Sequence, residues 1–230
     1  MQGKKLLKSY TTQLKAIYTT LLDAFGQQGW WPAKTRFEVI VGAILTQNTN
    51  WKNVEKVIAE LDKLKLLRPR TLDRIPLPRL AKIIRPAGYY NQKAKKLKAF
   101  MEHFKQYDFD VGKMMKRGIT VLRSELLSVW GIGPETADSI LLYALDKPVF
   151  VVDAYTRRVF SRMGFVDKDI NYEDLRAFFE KNLDKTRDPR LKTFKEYHAL
   201  IDELAKRHCK TRPECSSCPV RRLCSYNGKT

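Results

Sequence analysis

The sequence predicts an all-α protein, and three observations lead there. Apolar residues recur every three or four positions through most of the 230 residues. No stretch alternates apolar and polar residues as a half-buried strand does, and no segment repeats at a fixed period. From Leu126 to Asp153, one helical run enters a tight glycine hairpin and a second helix leaves it.

The elements follow in order. Leu14, Ile17, Tyr18, Leu21, Leu22 and Phe25 form the apolar face of a first amphipathic helix, which Gly29-Trp30-Trp31-Pro32 breaks. Thr35 with Glu38 three residues on is a capping box. The run behind it, Phe37 to Leu45, is apolar on nearly every face, so this helix should be central and buried. Thr46 to Asn50 is a polar loop, and Trp51 to Leu64 is helical again. The prolines between Arg68 and Pro86 predict short turns and one short helix. Gly88-Tyr89-Tyr90-Asn91 then opens a long helix whose buried stripe is Ala94, Leu97, Phe100, Met101 and Phe104. Lys93, Lys95, Lys96 and Lys98 fill its other faces and are expected in solvent. Val121 to Val129 is helical and leads into Gly131-Ile132-Gly133-Pro134, where Pro134 suits the first turn of the next helix. Asp153 precedes a helix reaching about Met163, and Asn171 with Asp174 marks the start of another. Leu191, Phe194, His198, Ile201 and Ala205 form the stripe of the last long helix.

The net charge of +19 predicts an extended anionic partner, nucleic acid before an anionic membrane. No apolar run approaches the roughly 20 residues that a spanning helix needs. Met1 to Phe25 is amphipathic and lacks a signal-peptide core, so a soluble, cytoplasmic protein is expected, nucleoid-associated if prokaryotic. Thiols there stay reduced, and Cys209, Cys215, Cys218 and Cys224 point to metal rather than disulfides. Taken alone, their Cys-x5-Cys-x2-Cys-x5-Cys spacing leaves zinc and a four-iron cluster open. His208 reads as a helix-end residue rather than a ligand.

Gly131 and Gly133 allow a tight turn and close backbone approach to a ligand, and the N–H groups there suit a phosphate. A lone Gly-x-Gly is more often an ordinary corner between helices, and Asp153 alone is more often a plain N-cap. Together with the basic charge, Val152-Asp153 beyond the hairpin and the C-terminal cysteines, however, the hairpin resembles that of the helix-hairpin-helix DNA glycosylases of the endonuclease III superfamily, over nearly the whole chain.

The resemblance implies two lobes: a six-helix block over 34–146, and a second lobe from 1–33 and 147–230 with a [4Fe-4S] loop at 209–224. The first cysteine spacer is one residue shorter than the family's. It implies that Asp153 is the catalytic carboxylate, that Gln47 fills the space a flipped base vacates, and that Tyr89 wedges into the opposite strand. Gly131 and Gly133 would grip DNA, with Lys210, Arg212, Arg221 and Arg222 on the backbone. Bifunctional relatives carry Lys in the second hairpin helix, where this chain has Glu135. A carboxylate cannot form an imine, so the base should leave without strand cleavage. Glu135 itself complements the helix N-terminus more readily than it serves catalysis.

Trp30-Trp31-Pro32, and Thr46-Gln47-Asn48-Thr49 followed by Trp51, resemble the 3-methyladenine glycosylase branch. There two aromatics sandwich the alkylated base, which makes Trp31 and Trp51, with Glu135, the expected base pocket. A methylated purine is cationic, so an indole attracts it more than a normal base, and it leaves neutral without a dedicated acid. None is obvious, since His103, His198 and His208 lie outside the motifs. The expected partner is double-stranded DNA with a damaged base, bound by a monomer and not at a membrane. Retention of all four cysteines keeps an oxidised-pyrimidine or mismatch glycosylase as the alternative. A non-catalytic binder of distorted or abasic DNA would need the hairpin and charge but not Asp153.

Overall fold

The computed structural model describes residues 9–183 and 189–226, and the regular elements among them are all helical. The chain divides into two compact units, a central one of Trp31–Lys147 and a terminal one of Met1–Trp30 with Pro148–Thr230. The central unit starts three residues before position 34 and ends one after 146.

The central unit is built around α2 (Arg36–Leu45). Thr35 Oγ1 accepts from Glu38 N at 3.1 Å, and Glu38 Oε2 accepts from Lys34 N at 3.0 Å, so both helix-entry donors are satisfied. Every residue from Phe37 to Leu45 is buried. Around α2 stand α3 (Trp51–Lys63), α4 (Pro69–Arg74), α5 (Leu77–Ile83), α6 (Tyr90–Lys105), α7 (Val111–Met115), α8 (Ile119–Ser128) and α9 (Pro134–Ser139). A buried π-helical turn, Ile140–Ala144, continues α9 and packs on α2.

The central unit therefore has more helices than the six expected. The proline-rich stretch holds two short helices, α4 and α5, where one was expected. Its prolines open helices rather than break them: Pro69 begins α4 and Pro78 sits in the first turn of α5. The five residues of α7 are a further helix, capped by Asp110 Oδ1 on Gly112 N at 2.7 Å.

The lysine face of α6 also departs from expectation. Lys93 is 2% exposed and donates to Ala87 O at 2.7 Å. Burial pushes its amine down to about 8, with Lys96 adding to the effect. Its stem is buried, and its tip closes the turn before α6.

In the terminal unit, α12 (Arg190–Arg207) packs against α1 (Tyr10–Phe25) and α10 (Ala154–Arg162), and α1 also meets α11 (Tyr172–Leu183). Phe150 stacks on Phe179 at 4.2 Å and meets Phe194 edge-on at 5.3 Å. Tyr197, fully buried, donates to Leu14 O at 3.0 Å and ties α12 to α1. Each such aromatic stabilises the unit by about 1.5–3 kcal/mol. These rings clamp the buried strip Val149–Val152, whose Phe150 N–H donates to Glu180 Oε1 at 3.0 Å. Asp153 stands at the end of that strip.

Candidate active site

The hairpin joins α8 to α9. Gly131 has φ +83°, and a Cβ there would meet Lys96 side-chain carbons at 2.4–2.9 Å, so both backbone and packing require glycine. Gly133 differs: its φ is −93°, and an added Cβ would meet nothing within 4 Å. Nothing in the fold demands glycine there, which leaves open backbone beside the start of α9. Trp130, before the hairpin, is 56% exposed.

Gln47 reaches this hairpin. Its Nε2 donates to Gly131 O at 3.0 Å and to Thr136 Oγ1 at 2.9 Å. Lys96 Nζ donates to Gln47 Oε1, so this lysine is a structural partner rather than a solvated charge. Tyr89 precedes α6 in the left-handed region at φ +45° and is 71% exposed. A bulky residue there is strained, and its ring projects into solvent.

Trp31 and Trp51 are in contact, edge to face, with centroids 5.1 Å apart and planes at 85°. Tyr143 closes on Trp31 at 5.5 Å. The Trp31 indole lies against Gly42, where a Cβ would come within 3.4 Å of it. The two indoles leave no slot between parallel rings, so stacking a base between them requires one to turn. Tyr143 is an aromatic neighbour that the motifs did not indicate. Glu135 is exposed in the first turn of α9, and its carbonyl accepts from Ser139 Oγ at 2.7 Å.

In the terminal unit, Asp153 caps α10. Its Oδ1 accepts from Thr156 N at 2.7 Å and from Thr156 Oγ1 at 2.8 Å. Its Oδ2 lies 3.6 Å from His198 Nε2, with the two side chains 18% and 7% exposed. Burial works to raise the Asp153 carboxyl, but His198 and the two Thr156 donors outweigh it and hold the carboxyl below its ordinary range. One helical turn beyond His198, Asp202 Oδ2 pairs with Lys206 Nζ at 2.5 Å. Burial pushes the Asp202 carboxyl up, against the pull of Lys206. Trp30 meets His198 edge-on at 5.7 Å and lies under Lys206 at 5.6 Å.

Sequence reasoning set His198 outside the functional motifs, and the fold brings it to Asp153. The available signal was a histidine on the apolar stripe of α12 with an aspartate one turn later.

The four cysteines are free thiols lining one cavity of about 30 Å³. Burial, then the neighbouring thiols, push the Cys218 thiol up. Arg162 Nη1 donates to Cys209 Sγ at 3.5 Å and Arg158 Nε to Cys209 O at 2.8 Å, which fastens the loop to α10. Among the described residues no three His, Cys, Asp or Glu side chains converge as ligands of a single metal ion. Four thiols facing one space are a donor set of the kind that thiolate-bound metal ions and clusters use. His208 faces Phe25 at 6.1 Å and Ser217 Oγ at 3.3 Å. Arg212, Arg221 and Arg222 are exposed, and Lys210 pairs with Glu214 at 2.7 Å.

Residues 41–185 match the HhH-GPD superfamily of base excision DNA repair proteins. A Methanocaldococcus jannaschii protein provisionally named a DNA repair glycosylase is 49% identical over 210 residues, spanning 90% of this chain and 94% of that one. Endonuclease III of Sulfolobus acidocaldarius is 30% identical over 197 residues, 84% of each chain. Among solved structures, the Helicobacter pylori 3-methyladenine DNA glycosylase bound to 1,N6-ethenoadenine superposes with a TM-score of 0.74 at 29% identity, covering 85% of this chain and 96% of that one. An endonuclease III–DNA complex shares the fold with a TM-score of 0.78 at 23% identity, covering 94% and 95%.

Proposed function

Because the chain belongs to the HhH-GPD superfamily of base excision DNA repair proteins, we propose that it is a DNA glycosylase that hydrolytically releases alkylated purines such as 3-methyladenine and leaves an abasic site. The observation that carries this reading is Asp153, a rigid, ionised carboxylate on a buried strip, in a chain that has Glu135 rather than a lysine in the hairpin helix.

The damaged nucleotide turns out of the stack, Gln47 and Tyr89 take up the disrupted duplex, and the hairpin with Gly133 holds a phosphate. As the N-glycosidic bond breaks, its electron pair goes to the cationic base, which departs neutral, and positive charge develops on the sugar. The Asp153 carboxylate stabilises that charge. Opposite charges about 4 Å apart at an effective dielectric near 20 gain about 4 kcal/mol, roughly a thousandfold in rate. Water then bonds to the sugar carbon and gives up its proton, so one water is consumed and one proton released per base. No amine stands at position 135 to intercept the sugar.

Trp31, Trp51 and Tyr143 supply electron-rich faces for a cationic purine, reached by rotation of one indole. Cys209, Cys215, Cys218 and Cys224 would hold a [4Fe-4S] cluster, which when bound braces the loop carrying Lys210, Arg212, Arg221 and Arg222 toward DNA. Trp31→Ala and Trp51→Ala test the pocket: each should slow release of methylpurines by tenfold or more (about 1.4 kcal/mol) with little change in binding to abasic DNA. Full activity in both variants would overturn it. A second reading, an oxidised-pyrimidine or mismatch glycosylase, draws on the four cysteines and the 30% identity to an endonuclease III.

A further inference from the structure

We infer that His198 is the positioning residue of the reaction: it takes the Asp153 oxygen that the helix cap leaves over, and it keeps that oxygen ionised and aimed. The inference rests on the reading of Asp153 as the catalytic carboxylate.

An N-cap aspartate needs only one oxygen, and here Thr156 occupies Oδ1 through both its N–H and its hydroxyl. Oδ2 plays no part in the cap. It faces His198 Nε2 at 3.6 Å, slightly beyond hydrogen-bond length, in surroundings where the imidazole is 7% exposed. A second carboxylate, Asp202, lies within electrostatic reach of both Asp153 and His198 and is itself 8% exposed. Two carboxylates this close and this buried repel each other and are costly to ionise together. The chain places a nitrogen-bearing side chain after each carboxylate: Asp153, His198, Asp202, then Lys206 on the Asp202 oxygen at 2.5 Å. Trp30 covers the imidazole edge-on and lies under the Lys206 ammonium, so one ring touches both groups.

A core histidine would serve packing alone, and an isolated cap would leave Oδ2 to water. The arrangement instead gives the working oxygen one fixed neighbour. As charge develops on the sugar, Oδ2 is already oriented, and no reorganisation is needed during bond cleavage. His198 touches no substrate atom in this account and acts through Asp153.

The test uses the full chain and three variants: His198→Leu, His198→Gln and Asp153→Asn. Single-turnover base release from methylated duplex DNA is followed against pH, with binding to an abasic-site duplex as the control. A carboxyl-carbon NMR titration of Asp153 reports without any substrate. His198→Leu should slow release by up to about a hundredfold, the loss that a misplaced reacting group causes, at near-unchanged abasic affinity. It should move the acid limb of the profile and the Asp153 titration to higher pH. His198→Gln, which restores a donor near the same atom, should recover most of the rate. A folded His198→Leu with wild-type rate and an unmoved Asp153 titration would overturn the inference. So would a rate loss that merely tracks thermal stability and that His198→Gln fails to restore. Activity surviving in Asp153→Asn would instead sink the catalytic reading beneath it. If methylated DNA is not a substrate, the titration still decides.

Discussion

His198 Nε2 stands 3.6 Å from Oδ2 of Asp153, while Thr156 donates twice to Oδ1. The two oxygens of one carboxylate thus have separate duties, one closing α10 and one facing the imidazole. Asn caps a helix about as well as Asp, so Asp153→Asn should cost at most a few tenths of a kcal/mol in the cap. Base release should fall about a thousandfold, and DNA binding should survive. Single-turnover assays beside thermal melts separate the two effects. The carboxyl is held below its ordinary 3.8, so its stabilising contribution is complete above that value and is lost as pH falls through the lower folded-state range. Acid melts of wild type and Asp153→Asn should therefore converge as the carboxyl protonates.

The two hairpin glycines should fail differently. Gly131→Ala forces a side chain into a positive φ and against the Lys96 stem, so it should destabilise the fold by more than about 1 kcal/mol. Gly133→Ala meets no atom of the protein, so it should melt like wild type but bind DNA more weakly if, as proposed, the hairpin holds a phosphate there. Equal melting losses in both variants would contradict this division.

Lys93 makes alkaline stability informative. Its amine is lowered from its ordinary 10.5 to about 8 by burial. Over that window the unfolded chain binds more protons than the folded one, so Lys93 makes stability rise with pH. Lys93→Met should remove this upward component, which denaturant melts between pH 8 and 10.5 can measure. An unchanged slope would mean that the buried amine does not titrate as its surroundings dictate.

The cysteine cavity predicts a brown protein with about four irons per chain and visible iron–sulfur absorbance. Cys→Ser at Cys218 should bleach it and loosen the loop that Arg158 and Arg162 fasten. Colourless protein with stoichiometric zinc would rule the cluster out. Replacing Arg221 and Arg222 should weaken binding to all sequences alike and flatten its salt dependence.

The helical architecture was readable because α2, α6 and α12 carry their core faces in plain periodicity, and the match to known structures bears out the all-α glycosylase fold. The short helices α4 and α5 were harder, since Pro69 and Pro78 look like breakers until their first-turn positions are seen. Lys93 and Lys96 read as solvated charges, because spacing does not reveal that a carbonyl or a glutamine waits at the tip of each. His198 was hidden for a deeper reason. Its partner is remote in sequence, and only the packing of α12 on α10 brings imidazole and carboxylate together. Trp31 and Trp51 were expected to sandwich a base between them; that they meet edge to face without one is a matter of ring rotation that periodicity cannot report.

The most direct measurement uses methylated duplex DNA, identifying the released bases and scoring strand nicks before and after alkali. Free methyladenine, an intact strand until alkali is added, and no covalent adduct trapped by borohydride are the expected result. Release of oxidised or mismatched pyrimidines instead, with nicking before alkali, would contradict both the aromatic pocket and the consequence drawn from Glu135.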